Sequence, residues 1–138
     1  MKSAVATILL ALFAAAAPAA EGEDPFASYL FPPDRVMAKS QEIGLEDAQR
    51  RAIRDEVQKV QPKFTDLQFE LQDESGKMVR LLQGSPVDEA RVLEEVDRIL
   101  ALEKQIKKLQ VTLLVRIKNI LTPAQQARLT DIQKAGAK

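Results

Sequence analysis

The chain has 138 residues, with 20 basic and 20 acidic side chains and with neither cysteine nor histidine. It can therefore form no disulfide and offers no cysteine for lipid attachment, and it lacks both the commonest metal ligand and the commonest general base. The balanced charge gives no reason to expect nucleic acid as a partner.

The first residues predict a secretory signal peptide. Lys2 precedes an apolar stretch, residues 4–16, and residues 17–19 (APA) provide an A-x-A-like cleavage site. The stretch of about 13 residues is shorter than the roughly 20 that span a bilayer. We expect residues 1–19 to be removed near Ala19-Ala20 and the mature protein to lie in the periplasm. An uncleaved N-terminal anchor is the alternative.

Residues 20–32 show neither a helical nor a strand period, and they contain the aromatic residues Phe26, Tyr29 and Phe31. We expect an extended arm there. A short helix should begin near Pro33, because proline suits the first helical position, and Gly44 is a plausible end for it.

Two long amphipathic segments follow, at residues 46–82 and 87–120, and Gly84-Ser85-Pro86 separates them. Apolar residues recur every three or four positions in both, as in paired helices. No strand pattern appears. A short break between long helices predicts an all-α fold built on an antiparallel hairpin. The apolar positions of the first segment are Ile53, Val57, Val60, Phe64, Leu67, Leu71, Met78 and Leu82. Those of the second are Val92, Val96, Ile99, Ile106, Leu113, Ile117 and Ile120, with Leu100, Leu102, Leu109 and Val111 beside them.

Folding about residues 84–87 pairs positions whose numbers sum to roughly 171, from hairpin geometry. Oppositely charged side chains of the two segments then come level with each other. The expected pairings are Lys77 and Arg80 with Glu94 and Glu95, Asp73 with Arg98, and Asp66 and Glu70 with Lys104. Pro62 lies inside the first segment and should kink it. We expect one kinked helix, and two separate helices are the alternative.

Residues 122–125 (TPAQ) have the pattern of a capping box. Thr122 can accept from the N–H of Gln125, whose side chain reaches back to the Thr122 N–H, and Pro123 suits the first helical position. The box predicts a short last helix that folds back on the open end of the hairpin. We expect the domain to span residues 33–134 and the tail, residues 135–138, to be disordered.

An earlier copy of this phrase occupies residues 45–49 (LEDAQ). Leu45 and Gln49 stand at the spacing of Leu121 and Gln125, but Glu46 replaces the threonine. Because glutamate caps poorly, this copy should have lost half of its box.

These two LTxxQ-type phrases, in a chain of this length with a long helical hairpin, resemble the Spy/CpxP family of periplasmic proteins and the related metal-resistance sensors of the CnrX kind. The segments LFPPDRVM and TLLVRIKNILTPAQQARL also fit that family, and the resemblance covers roughly residues 30–133. It implies a hairpin that pairs into a curved homodimer. Some members are ATP-independent chaperones, others restrain a sensor kinase, and others bind metal ions and signal their presence.

We expect a chaperone-like protein that binds unfolded or misfolded periplasmic proteins. The apolar stripe of the second long helix is wider than a two-helix seam requires, which is typical of an interaction surface. A basic patch at the open end is the candidate client or partner surface; it comprises Arg50, Arg51, Arg54, Arg116 and Lys118, and no predicted ion pair compensates it.

The alternative function is signalling, in which the domain docks on a membrane sensor kinase or an anti-sigma factor. A metal-binding role is less well supported, because transition-metal sites prefer imidazole or thiolate ligands. We assign no metal ligand and no cofactor. With no histidine or cysteine nucleophile and no glycine-rich phosphate loop, we also expect no enzymatic activity.

Overall fold

The structure is a computed structural model, and it describes residues 25–136. This range contains four helices and no strand: α1 (Pro33–Ala38), α2 (Asp47–Leu82), α3 (Glu89–Ile120) and α4 (Pro123–Gly136). The predicted signal peptide, the start of the predicted arm and the last two residues lie outside the described residues. The all-α prediction is confirmed.

The two long helices pack against each other as the predicted hairpin. α2 begins just after Glu46 and ends at Leu82, as its apolar period indicates. α3 begins at Glu89 rather than Val87, because the Asp88 carboxylate accepts a hydrogen bond from the Arg91 N–H at 3.2 Å and so caps the helix.

Helix α2 runs without interruption through Pro62. Proline has no N–H to donate to the carbonyl of Gln58, so one bond of the helical ladder is missing. The apolar period continues on both sides, and packing against α3 holds the segment in one helix. The alternative of two separate helices is wrong.

The first short helix ends earlier than predicted. α1 stops at Ala38, and the chain then turns until Gly44, which has a φ of 66°. Glycine adopts this left-handed conformation without the steric cost that a Cβ brings. The turn closes with a hydrogen bond of 2.8 Å from the Leu45 N–H to the Ser40 carbonyl, and it aims the chain into α2.

The main core lies at the open end of the hairpin, away from the turn between α2 and α3. Residues before α1, the beginning of α2, the end of α3 and helix α4 meet there. Its buried members are Phe31, Val36, Ile43, Leu45, Ile53, Ile117, Leu121 and Leu129. Phe31, from the predicted arm, is thus fully buried. Smaller buried groups continue along the α2–α3 seam, at Leu67, Met78, Ile99 and Leu102. α4 extends to Gly136, two residues into the segment for which we expected disorder.

The hairpin register is close to that predicted, but the ion pairs differ. Glu56 of α2 and Arg116 of α3, whose numbers sum to 172, pair at 3.1 Å. The expected cross-helix pairs of Lys77, Asp73 and Lys104 are absent among the described residues. Lys77 instead pairs with Glu74 on its own helix. Local i,i+3 and i,i+4 partners lie closer than partners across the groove.

None of the four described helices is long and apolar enough to cross a membrane.

Candidate functional site

The second phrase forms the predicted capping box at the start of α4. The Gln125 N–H donates to the Thr122 hydroxyl oxygen at 3.2 Å, and the Thr122 N–H donates to Gln125 Oε1 at 2.9 Å. Pro123 takes the first helical position. Gln126 closes the end of α3 as well, since its amide donates to the carbonyls of Lys118 and Leu121, both at 3.1 Å. The phrase thus ends one helix and begins the next.

The first phrase also forms a box. The Glu46 N–H donates to Gln49 Oε1 at 3.0 Å, and the reciprocal arm from the Glu46 side chain is present too. Our expectation that this copy had lost half of its box is therefore wrong, because the longer glutamate side chain still reaches the first turn. Asp47 in that turn suits the positive end of the helix dipole.

The glutamines of the two phrases bind each other across the open end of the hairpin. Gln49 Nε2 donates to Gln125 Oε1 at 2.8 Å, and Gln125 Nε2 donates to Gln49 Oε1 at 2.9 Å. Each amide makes one further bond to the backbone of the other phrase. Gln49 Nε2 donates to the Ile120 carbonyl at 3.0 Å, and Gln125 Nε2 donates to the Gly44 carbonyl at 3.1 Å.

This network is symmetric and complete. Every partner in one phrase has its counterpart 76 residues later, as Gln49 has in Gln125. Each amide oxygen accepts two hydrogen bonds and each amide nitrogen donates two, which uses the full capacity of both side chains. Gln125 is only 7% exposed, and a buried amide is stabilising only when it is satisfied in this way. The phrase leucines, Leu45 and Leu121, lie buried in the adjoining core.

The pair of phrases therefore locks the beginning of α2 to the junction of α3 and α4. It fixes the geometry of the open end, and both glutamine side chains are fully used in doing so.

The predicted basic patch is partly compensated. Arg116 pairs with Glu56, and the hydrogen bonds of Lys59 and then Arg116 lower the pKa of that carboxyl. Lys118 Nζ lies 5.9 Å from the centre of the Tyr29 ring, a cation–π distance. Arg51 and Arg54 are exposed and have no ion pair among the described residues, whereas Arg50 is half-buried. The patch is consequently narrower than expected and centres on Arg51 and Arg54.

A second surface lies along α3 on the side away from the seam. We call it the outer face, defined by Leu93, Leu100, Val111 and Val115 together with Lys104, Lys107 and Lys108. The four apolar residues are separated by 7, 11 and 4 positions, close to whole helical turns, so they share one side of the helix. They are 55%, 46%, 39% and 42% exposed, respectively. All three lysines are exposed as well.

The part of the outer face from Lys104 onward lies in an acid-free stretch. Residues 104–130 contain six basic side chains (Lys104, Lys107, Lys108, Arg116, Lys118 and Arg128) and no acidic one. The predicted broad apolar stripe of α3 thus divides into two parts. Leu102 is buried and Leu109 half-buried in the seam, whereas Leu100 and Val111 are exposed to solvent.

No cluster of three or more histidine, cysteine, aspartate or glutamate side chains that could hold a metal ion occurs within residues 25–136. The whole chain has no imidazole and no thiolate to offer. The residues present thus do not fit a transition-metal site.

A protein-family model described as heavy-metal resistance matches residues 4–128 of the chain. No curated protein and no solved structure gave a match.

Proposed function

Because this chain belongs to the heavy-metal-resistance family of Spy/CpxP/CnrX-like LTxxQ proteins, we propose that it is an ATP-independent, chaperone-like protein of the periplasm that binds unfolding envelope proteins. The family is helical and non-enzymatic. Client binding by a rigid hairpin requires a surface rather than a reaction centre, and the outer face of α3 is the surface that fits this role best.

The single observation that supports the proposal most strongly is the composition of the outer face. Leu93, Leu100, Val111 and Val115 provide apolar area, which binds the apolar segments that an unfolding protein exposes. The lysines between them keep this surface hydrated, and they attract acidic residues beside such segments. Apolar and charged contacts that are spread along a helix can bind client segments of many different sequences.

Arg51 and Arg54 extend the same chemistry to the open end of the hairpin. Neither is held by an ion pair among the described residues, so both guanidinium groups are free to bind carboxylates. The motif glutamines, by contrast, have no spare hydrogen-bonding capacity. We therefore assign them to holding the fold and not to client contact.

The test is light scattering of an unfolding client protein, with and without the mature chain and without ATP. We expect the chain to suppress aggregation near stoichiometric amounts. Leu100→Ser combined with Val111→Ser should weaken that suppression by lowering the apolar area of the outer face. Val87→Ser is the matched control, because Val87 is 45% exposed but lies in the turn before α3.

Equal suppression by the double variant and by the control would remove the outer face from the proposal. No suppression by a folded wild-type chain would contradict the chaperone function itself. The docking of this domain on a membrane sensor would then be the better proposal, and a pull-down from envelope membranes would test it.

A further inference from the structure

Two carboxyl groups face each other in the α2–α3 seam near the hairpin turn. Glu95 of α3 is 1% exposed, and the half-buried Glu74 of α2 lies within hydrogen-bonding reach of it. Glu95 Oε2 accepts a hydrogen bond from Arg98 at 2.9 Å, and Glu74 Oε1 accepts one from Lys77 at 2.7 Å. The remaining oxygens, Glu95 Oε1 and Glu74 Oε2, are buried and have no other partner.

Two bare carboxylate oxygens in this position would repel each other and would both lack a donor. One proton between them removes both problems, since the protonated carboxyl donates to the ionised one. Burial, followed by the neighbouring Glu74 carboxyl, raises the pKa of Glu95 above its ordinary value of 4.5, against the opposing effect of Arg98. The hydrogen bond from Glu95, followed by that from Lys77, lowers the pKa of Glu74.

A metal ion fits this pair less well than a proton. The two outer oxygens are already bound by Lys77 and Arg98, and an added divalent cation would lie between these positive groups. The groove beside Glu95 has a volume of about 440 Å³, and its charged lining is mostly cationic, with Lys77, Arg80, Arg91 and Arg98 against Glu94 and Glu95. On the other side, Glu74 shares a groove with Glu70, Asp73, Lys77 and Arg80.

We propose that Glu74 and Glu95 share one proton across the seam and so form a pH-sensitive latch that holds the turn end of the hairpin closed. Met78 and Ile99 are buried beside the pair in the same seam. When the proton is lost, two buried negative charges face each other, and α2 and α3 separate locally at this end. The open end keeps the hydrogen bonds between Gln49 and Gln125 and the main core, so the change is confined to the turn end.

The sign of the effect follows from linkage. A glutamate whose pKa is raised in the folded state stabilises the fold below its unfolded pKa, and that contribution is lost as the pH rises through the folded value. We thus expect the latch to be closed below the ordinary glutamate pKa and to weaken as the pH rises above it.

The experiment compares thermal unfolding of the wild-type chain, Glu95→Gln and Glu94→Gln between about pH 4, below the ordinary glutamate pKa, and about pH 8. Glutamine at position 95 donates to Glu74 at every pH, so this variant should not weaken as the pH rises. Its midpoint should exceed that of the wild type by about 5 °C more at the upper pH than at the lower one, an order-of-magnitude figure from linkage. Glu94→Gln is the matched control: it removes the same charge from an exposed neighbour, 4.0 Å from Arg98, and should follow the wild type.

Parallel pH profiles for all three proteins would overturn the proposal. If Glu95→Gln does not fold, the carbon chemical shifts of the wild-type side-chain carboxyls provide the test. A Glu95 carboxyl that titrates at or below an ordinary glutamate pKa would overturn it equally. Amide hydrogen exchange should become faster with pH, beyond the intrinsic rate, in residues flanking the hairpin turn but not at the open end.

Discussion

Thr122 has one role that can be measured simply, because its side chain makes one hydrogen bond, to the N–H of Gln125. Thr122→Ala should lower the free energy of unfolding by about 1 kcal/mol through loss of the helix cap. Urea unfolding measures this. Thr112→Ala is the control, since Thr112 is exposed inside α3 and bonds only to the Lys108 carbonyl of its own helix. Equal midpoints for the wild type and Thr122→Ala would show that the box contributes nothing.

The hydrogen bonds between Gln49 and Gln125 predict that the stabilities of the two phrases are coupled, which two independent helix caps would not predict. Gln125→Ala removes one partner and leaves the Gly44 carbonyl, the Thr122 N–H and one hydrogen of the Gln49 amide unsatisfied in a part-buried site. Each orphaned group costs about 1–3 kcal/mol, so Gln125→Ala should be clearly more destabilising than Thr122→Ala.

A double-mutant cycle with Gln49→Ala and Gln125→Ala separates the pair from its surroundings. Because each single variant already breaks both amide–amide bonds, the double variant should be less unstable than the sum of the two. We expect a coupling energy of at least about 1 kcal/mol by urea unfolding. Additive losses would mean that the two phrases act as independent caps.

Pro62 gives a prediction for α2 as an element. Pro62→Ala supplies an N–H that can donate to the Gln58 carbonyl, and it removes a poor helix former from an exposed position. The free energy of unfolding should therefore rise by about 1–2 kcal/mol. Lys63→Ala, at the next exposed position, should change it by less than about 0.5 kcal/mol. A loss of stability in Pro62→Ala would indicate that packing against α3 depends on the kink that we expect at this residue.

The helices were largely predictable from the sequence because long apolar periods and breaks such as Gly84-Ser85-Pro86 are local signals. The burial of Glu95 was not predicted. Its position, four residues before Ile99 and seven before Leu102, places it on the seam side of α3. A glutamate in the sequence is normally assigned to the surface, and the Arg98 hydrogen bond and the facing Glu74 that accompany its burial are seen only in the folded structure. The cross-helix charge pairs failed for a similar reason, since local partners compete with distant ones.

For the whole molecule, the motif residues were predictable but their association was not. Each phrase is recognisable by its own capping pattern, within five residues. Their contact depends on closing a chain of 76 residues in the correct register, which no local pattern encodes. The charge of the basic patch could be read from the sequence, whereas its partial neutralisation by Glu56 depends on the same register.

The exposed apolar residues of α3 lead us to predict that the mature chain forms a homodimer. They extend from Leu93 to Val115, about 33 Å along the helix, which is long enough for the α3 of a second copy to pack along it. Sedimentation velocity at micromolar concentration should give a dimer, and Val111→Asp should shift it toward monomer while Val87→Asp does not. A compact wild-type monomer at that concentration would contradict the prediction.

The chemistry of the whole chain also predicts how it responds to metals, despite the description of its family. A chain without histidine or cysteine, and without an acidic cluster in residues 25–136, should not bind zinc, nickel or cobalt tightly. A site with a micromolar Kd would stabilise the folded state by about 2.7 kcal/mol at a hundredfold excess of free metal over Kd. That would raise the Tm of a domain of this size by on the order of 10 °C. We expect no saturable shift in thermal unfolding with any of the three metals at about 100 times a micromolar Kd. A saturable rise in Tm that a chelator reverses would restore metal sensing as a function. The ligands would then have to be oxygen atoms, because the chain has no histidine and no cysteine.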